Sequence, residues 1–116
     1  MMKRFLIIFS LILNVIAFGQ SRDAEFEDGT KQLKKMILSK INLDSIDVEE
    51  NTVVKLTFKI DRKGHVVAIN CESDYPKTEI EFIRVAQEIK QKWKPALKNG
   101  KRIESEVKIS FPMIFE

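Results

Sequence analysis

The stretch from Trp93 to Phe115 constrains this chain more than any other. Trp93 and Pro95 close a helical pattern, because proline cannot continue a helix and holds the preceding residue extended. Asn99-Gly100 is a turn signal, since both residues tolerate positive φ. Ile103, Ser105, Val107, Ile109 and Phe111 then alternate with Glu104, Glu106, Lys108 and Ser110. A period of two predicts a strand with one buried and one wet face. Pro112 offers no N–H, which predicts a sheet edge rather than a central position.

The chain before this stretch supplies partners for such a strand. Thr30 to Ile41 carries Leu33, Met36, Ile37 and Ile41 on one helical stripe, with Asp28 or Thr30 as cap. Asn42 to Asn51 is polar and acidic, which predicts a surface connection. Val54, Leu56, Phe58 and Ile60 alternate with Lys55, Thr57 and Lys59, a half-buried strand. Asp61-Arg62-Lys63-Gly64 turns the chain into a return strand, Val66 to Cys71, where adjacent Val66 and Val67 suggest a bulge. Thr78 to Glu81 reads as a capping box, followed by a second helix whose face is Phe82, Ile83, Ala86, Ile89 and Trp93. The expected fold is α+β: a three-stranded antiparallel sheet with two helices on one face.

The N-terminus reads as an export signal. Lys3 and Arg4 precede an apolar run, Phe5 to Phe18, interrupted only by Ser10 and Asn14. Ala17 and Gly19 are small residues placed for cleavage before Gln20. The rival is a retained anchor, although Phe5 to Gly19 falls short of the roughly 20 residues that cross a bilayer. The expected organisation is a cleaved signal at 1–19, a short linker at 20–25 and one domain at 26–116. Loss of Lys3 and Arg4 leaves 18 basic residues against 17 acidic, so the processed charge says little about acidic partners. The single cysteine, Cys71, excludes a disulfide within one chain; it is either buried or pairs with another chain.

Catalytic patterns are lacking. His65, the only histidine, and Cys71 are six residues apart on one strand, roughly 20 Å. No Cys/His cluster suggests zinc, and no glycine-rich loop enters a helix to hold phosphate. No cofactor and no catalytic residue is expected. Lys90, Lys92, Lys94, Lys98, Lys101 and Arg102 form an acid-free basic run. Nucleic acid would suit it, but a solvated helix end does too, and an export signal argues against nucleic acid. What remains is the edge of the last strand. Its free N–H and C=O groups either recruit another strand or are protected by Glu104, Glu106 and Lys108.

Taken in order, these residues resemble the TonB C-terminal domain family. The carriers are Trp93 and Pro95, Asn99-Gly100-Lys101, the long strand, and the closing Pro112 and Phe115. The hairpin is similar as well, at Val54, Leu56, Phe58, Ile60, Asp61, Gly64 and Val66. Phe26 to Gly29 departs from the Phe-Pro-Gly-Gly entry of short exported members, with Glu27 and Asp28 in place of Pro and the first Gly. The resemblance covers Phe26 to Phe115. It implies a sheet with the hairpin's first strand in the centre and the last strand on an edge. It also implies a periplasmic module related to energy-dependent outer-membrane transport. The edge at Ser105, Glu106, Val107, Lys108 and Ile109 would take the TonB box, an extended N-terminal segment of an outer-membrane receptor. Family energy transducers carry a membrane anchor and long linker, whereas this chain, once cleaved, would dock without transmitting force. The alternative is a structural or cell-wall-binding envelope module that uses no strand addition.

Overall fold

The computed structural model describes residues 20–114. The expected export signal at 1–19, and Phe115 of the closing pattern, lie outside the described residues. The central sheet has three antiparallel strands in the order β3–β2–β7. Strand β2, Thr52–Ile60, lies between β3, Val66–Glu72, and β7, Ser105–Met113. Val54, Leu56, Phe58 and Ile60 face one side and are buried, as their alternation dictates. Across from them in β7 stand Phe111, Ile109, Val107 and Ser105. The register with β3 slips after Lys59, which pairs with Ala68 while Ile60 pairs with Val66. Val67 is therefore the extra, exposed residue of a bulge.

Two helices cover the apolar face. Helix α1, Thr30–Lys40, contributes Leu33 and Ile37, and α2, Pro76–Gln87, contributes Phe82, Val85 and Ala86. These pack with the inward residues of β2 and β7 into one core. The opposite face stays open and carries Lys55, Thr57, Lys59, Asn70, Glu72, Glu106, Lys108 and Ser110. A polar outward set is what an antiparallel sheet with one solvated side requires.

The helix starts differ from expectation. Helix α2 begins at Pro76, whose ring presets φ at the first helical position. That puts Thr78 inside the first turn, so there is no Thr78–Glu81 capping box. The cap comes instead from the connection before β2. Asp47 accepts from the Thr78 N–H at 3.1 Å and its hydroxyl at 2.8 Å. Burial pushes the Asp47 carboxyl up, but the bonds from Thr78 and Lys77 outweigh it and hold the group below its ordinary value. Helix α1 starts after Gly29, with neither Asp28 nor Thr30 capping it through a side chain.

Helix α2 stops at Gln87, so Trp93 is not on it. Trp93 belongs to a two-residue strand, β4, Trp93–Lys94, paired with β1, Glu25–Phe26. Its ring meets Phe26 edge-on at 5.5 Å and Phe58 at 5.3 Å, well inside the core. A small hairpin follows. Strands β5, Ala96–Lys98, and β6, Lys101–Ile103, pair across Asn99 and Gly100. Both turn residues have positive φ, 53° and 77°, as a two-residue hairpin of this twist needs.

Candidate functional site

The five residues expected to form a binding edge, Ser105 to Ile109, do share one strand. Along its whole length β7 pairs with β2 alone. Among the described residues its other side has no strand beside it. Which groups face that free side follows from the hairpin. The Asp61 N–H donates to the His65 carbonyl at 2.9 Å, so Asp61 points its main chain toward β3. Alternation then turns Ile60, Phe58, Leu56 and Val54 toward β7. Their register partners Ser105, Val107, Ile109 and Phe111 point back toward β2. Glu106, Lys108, Ser110 and Pro112 are left facing outward. Pro112 agrees with this, since on the outward side its missing N–H leaves no ladder bond unmade.

The five residues thus divide. Glu106 and Lys108 carry outward main-chain groups and exposed side chains on the open face. Ser105, Val107 and Ile109 give their main chain to β2 and their side chains to the core side. Ile109 is buried, and Val107 packs against the core. The buried Oγ of Ser105 has no hydrogen-bond partner among the described residues. Ser110, not singled out from the sequence, joins Glu106 and Lys108 as an outward donor. Only the register across the hairpin could identify it. On the open face Lys59 reaches Glu104 at 3.3 Å. That pair braces the start of β7 and is exposed enough to add little stability.

The second sheet edge, β3, is likewise paired on one side only. Cys71 lies there with intermediate exposure, packed against the core. Burial, and then the nearby Glu79 carboxylate, pushes its thiol up to about 11, so it stays protonated and a poor nucleophile at neutral pH. His65 is exposed in the hairpin turn, its Nδ1 3.6 Å from Asp61. The His65 N–H, then that of Lys63, bonds the Asp61 carboxylate and holds it below its ordinary value. Asp61 thus organises the turn rather than any reaction. Among the described residues no three His, Cys, Asp or Glu side chains gather in a way that would hold a metal ion.

One buried acid stands out elsewhere. Glu81, 5% exposed, accepts from the Asn42 N–H at 2.7 Å and from Nε and Nη2 of Arg84 at 2.8 and 2.7 Å. The Arg84 bonds, with the Asn42 N–H, outweigh burial and hold its carboxyl down at about 2. Every oxygen is engaged, so this is a structural clamp between α2 and the chain leaving α1.

The described residues contain no helix long and apolar enough to cross a membrane. Comparison with protein-family models, with curated proteins and with solved structures finds no match for the chain.

Proposed function

We propose that the domain is a TonB C-terminal-like periplasmic module that binds an extended peptide by strand addition to β7. Its occupant would be the TonB box of an outer-membrane receptor. The observation that carries the reading is the nine-residue β7, paired on one side only. Support also comes from the sheet order, with the hairpin's first strand central and the last strand on an edge, as the sequence resemblance implies. Outward groups at Glu106, Lys108 and Ser110 would supply ladder bonds, and an incoming strand would extend the sheet antiparallel or parallel to β7. Its side chains would lie beside Glu106 and Lys108 on the open face. An acidic residue next to Lys108, or a basic one next to Glu106, would set preference.

The test is a proline scan of residues 105 to 110 with titration calorimetry against synthetic receptor N-terminal peptides. Proline removes a donor and fixes φ. At 106, 108 or 110 it is expected to abolish peptide binding with modest loss of stability. At 105, 107 or 109 it breaks bonds to β2, and both binding and folding are lost. Lys108→Ala should weaken binding far less than Lys108→Pro. Folded outward-proline variants that bind as well as the parent would overturn the reading. The envelope module without strand addition would then stand, with the polar open face of the sheet as its surface.

A further inference from the structure

A hollow of about 410 Å³ opens where the chain leaving α2 passes the β2–β3 turn. That volume is within the usual range of small-molecule sites, about 300–1,000 Å³. Its apolar wall comes from Val66 beside the turn, Ile69 of β3, Ile89 just after α2, and Trp93. Val66, Ile69 and Ile89 all keep some exposure, so this wall meets water. An apolar group laid against it would remove that surface from water, which is favourable.

The charge around the hollow has one sign. Lys90 and Lys92 line it, and among the described residues no carboxylate does. Neither lysine has an ion-pair partner there. The nearby acids are engaged or held by main chain alone. Glu88 accepts from Arg84 at 2.9 Å, Asp61 holds the turn amides, and Glu27 meets Lys92 only through its N–H. The main chain adds donors of its own. The N–H groups of Ile89 and Trp93 bond the Ala86 and Gly64 carbonyls. Those of Lys90, Gln91 and Lys92, which lie between, have no hydrogen-bond partner among the described residues. The indole N–H of Trp93, a residue only 5% exposed, has none either.

From the apolar wall and the unpaired cationic rim together we infer that this hollow binds a small apolar anion. The ligand class is a carboxylate or sulfonate with an aromatic or short alkyl body. The body lies against Val66, Ile69, Ile89 and Trp93. The charged head sits at Lys90 and Lys92, where unbonded N–H groups are also at hand. Charge-assisted hydrogen bonds of that kind are the stronger class. An apolar wall alone would take any greasy molecule, and two surface lysines alone would hold no anion firmly. Their adjacency is what selects a molecule with both parts. The inference is independent of strand addition, which uses the side of β7 and none of these residues.

Two probes that share one aromatic body test it. Anilinonaphthalenesulfonate carries the anionic head, and N-phenylnaphthylamine is the same body without it. Each is titrated into the isotope-labelled protein and followed by nuclear magnetic resonance. Trp93 is the only tryptophan, so its indole N–H gives one signal that reports this site. With the sulfonate, that signal and the amides of Val66, Gln87 and Ile89 should shift and saturate together, while those of Glu106, Lys108 and Ser110 stay in place. The neutral probe should bind about tenfold more weakly by the same signal. Lys90→Glu combined with Lys92→Glu should weaken the sulfonate about tenfold and leave the neutral probe unchanged. Val66→Asp, at an exposed position, should weaken both. Thermal melts confirm that the variants fold. Equal binding of the two probes, indifferent to the lysine reversals, would overturn the inference. So would a sulfonate that leaves the Trp93, Val66 and Ile89 signals unmoved, or that shifts the β7 amides instead.

Discussion

Gly64 shows how much one residue can decide. Its φ of 86° is disfavoured for any side chain, and the turn it forms lies directly against the strand that carries Trp93. The Trp93 N–H donates to the Gly64 carbonyl at 3.2 Å, and a Cβ at Gly64 would overlap the Trp93 carbonyl oxygen. Gly29 has nearly the same φ, 89°, yet a Cβ there would meet nothing within 4 Å. Comparing the two separates backbone strain from crowding. Gly29→Ala should cost about 1 kcal/mol, the strain alone. Gly64→Ala should cost more, about 3 kcal/mol, because backbone and not a flexible side chain must move. Urea denaturation of the two variants measures the difference, and equal losses would mean that the turn can lift off Trp93. The turn glycine was legible in the sequence from its position after Asp61. Its contact with Trp93 was not, because the two lie 29 positions apart in the chain.

At the scale of elements, local patterns decided what was legible. The alternation in Val54 to Ile60 and in Ser105 to Phe111 marks two strands, because a period of two fits no helix, but it also runs through Ile103, which the structure gives to β6 while β7 starts at Ser105. The stripe of Leu33 and Ile37 does the same for α1. Trp93 was misplaced on α2 because it follows Ile89 by four residues, a spacing that a helix would also produce. The caps differ from expectation for two reasons: the partner for α2, Asp47, comes from elsewhere in the chain, and α1 starts after Gly29 with no side-chain cap at all. The edge at β7 was visible from Pro112, but the division into inward and outward residues needed the hairpin register. The Glu81 clamp has a consequence in pH. Its carboxyl, ordinarily near 4.5, is held down at about 2 by Arg84 and the Asn42 N–H. A group with a lowered folded value stabilises the fold above its unfolded value and loses that contribution as pH falls. Stability should therefore drop between about pH 4.5 and pH 2, with Glu81 a principal contributor. Glu81→Gln should flatten that part of the profile while lowering stability at neutral pH. Thermal melts across the range would show it, and an unchanged acid limb in Glu81→Gln would assign the loss to other carboxylates such as Asp47.

On the scale of the whole molecule, the segment from Gln20 to Glu27 proves to belong to the fold. Gln20 to Glu25 reads from the sequence as a spacer, since two-residue strands and single bridges have no periodicity to detect. The structure lays this segment antiparallel along Lys92 to Gly100. Glu27 donates to the Lys92 carbonyl at 3.0 Å, Phe26 pairs with Trp93, and Arg22 bonds Leu97 in both directions. Ala24 and Phe26 enter the core beneath it, at 6% and 2% exposure. The segment therefore links the start of the described chain to the region after α2. Burial of Phe26 against Trp93 and Phe58 should make that link strong, and Phe26→Ala is expected to cost about 3–5 kcal/mol. A spacer would behave otherwise, so hydrogen exchange distinguishes the two. The amides of Arg22, Glu27, Leu97 and Gly100 all donate to main-chain carbonyls across this junction. They should exchange slowly in the parent and become fast together in Phe26→Ala, while amides in the middle of β2 stay protected. Fast exchange at Arg22 and Gly100 in the parent would mean that the junction frays at its outer end. In that case the hairpin would no longer be held to Gln20, and only Ala24 and Phe26 would tie the segment to the core.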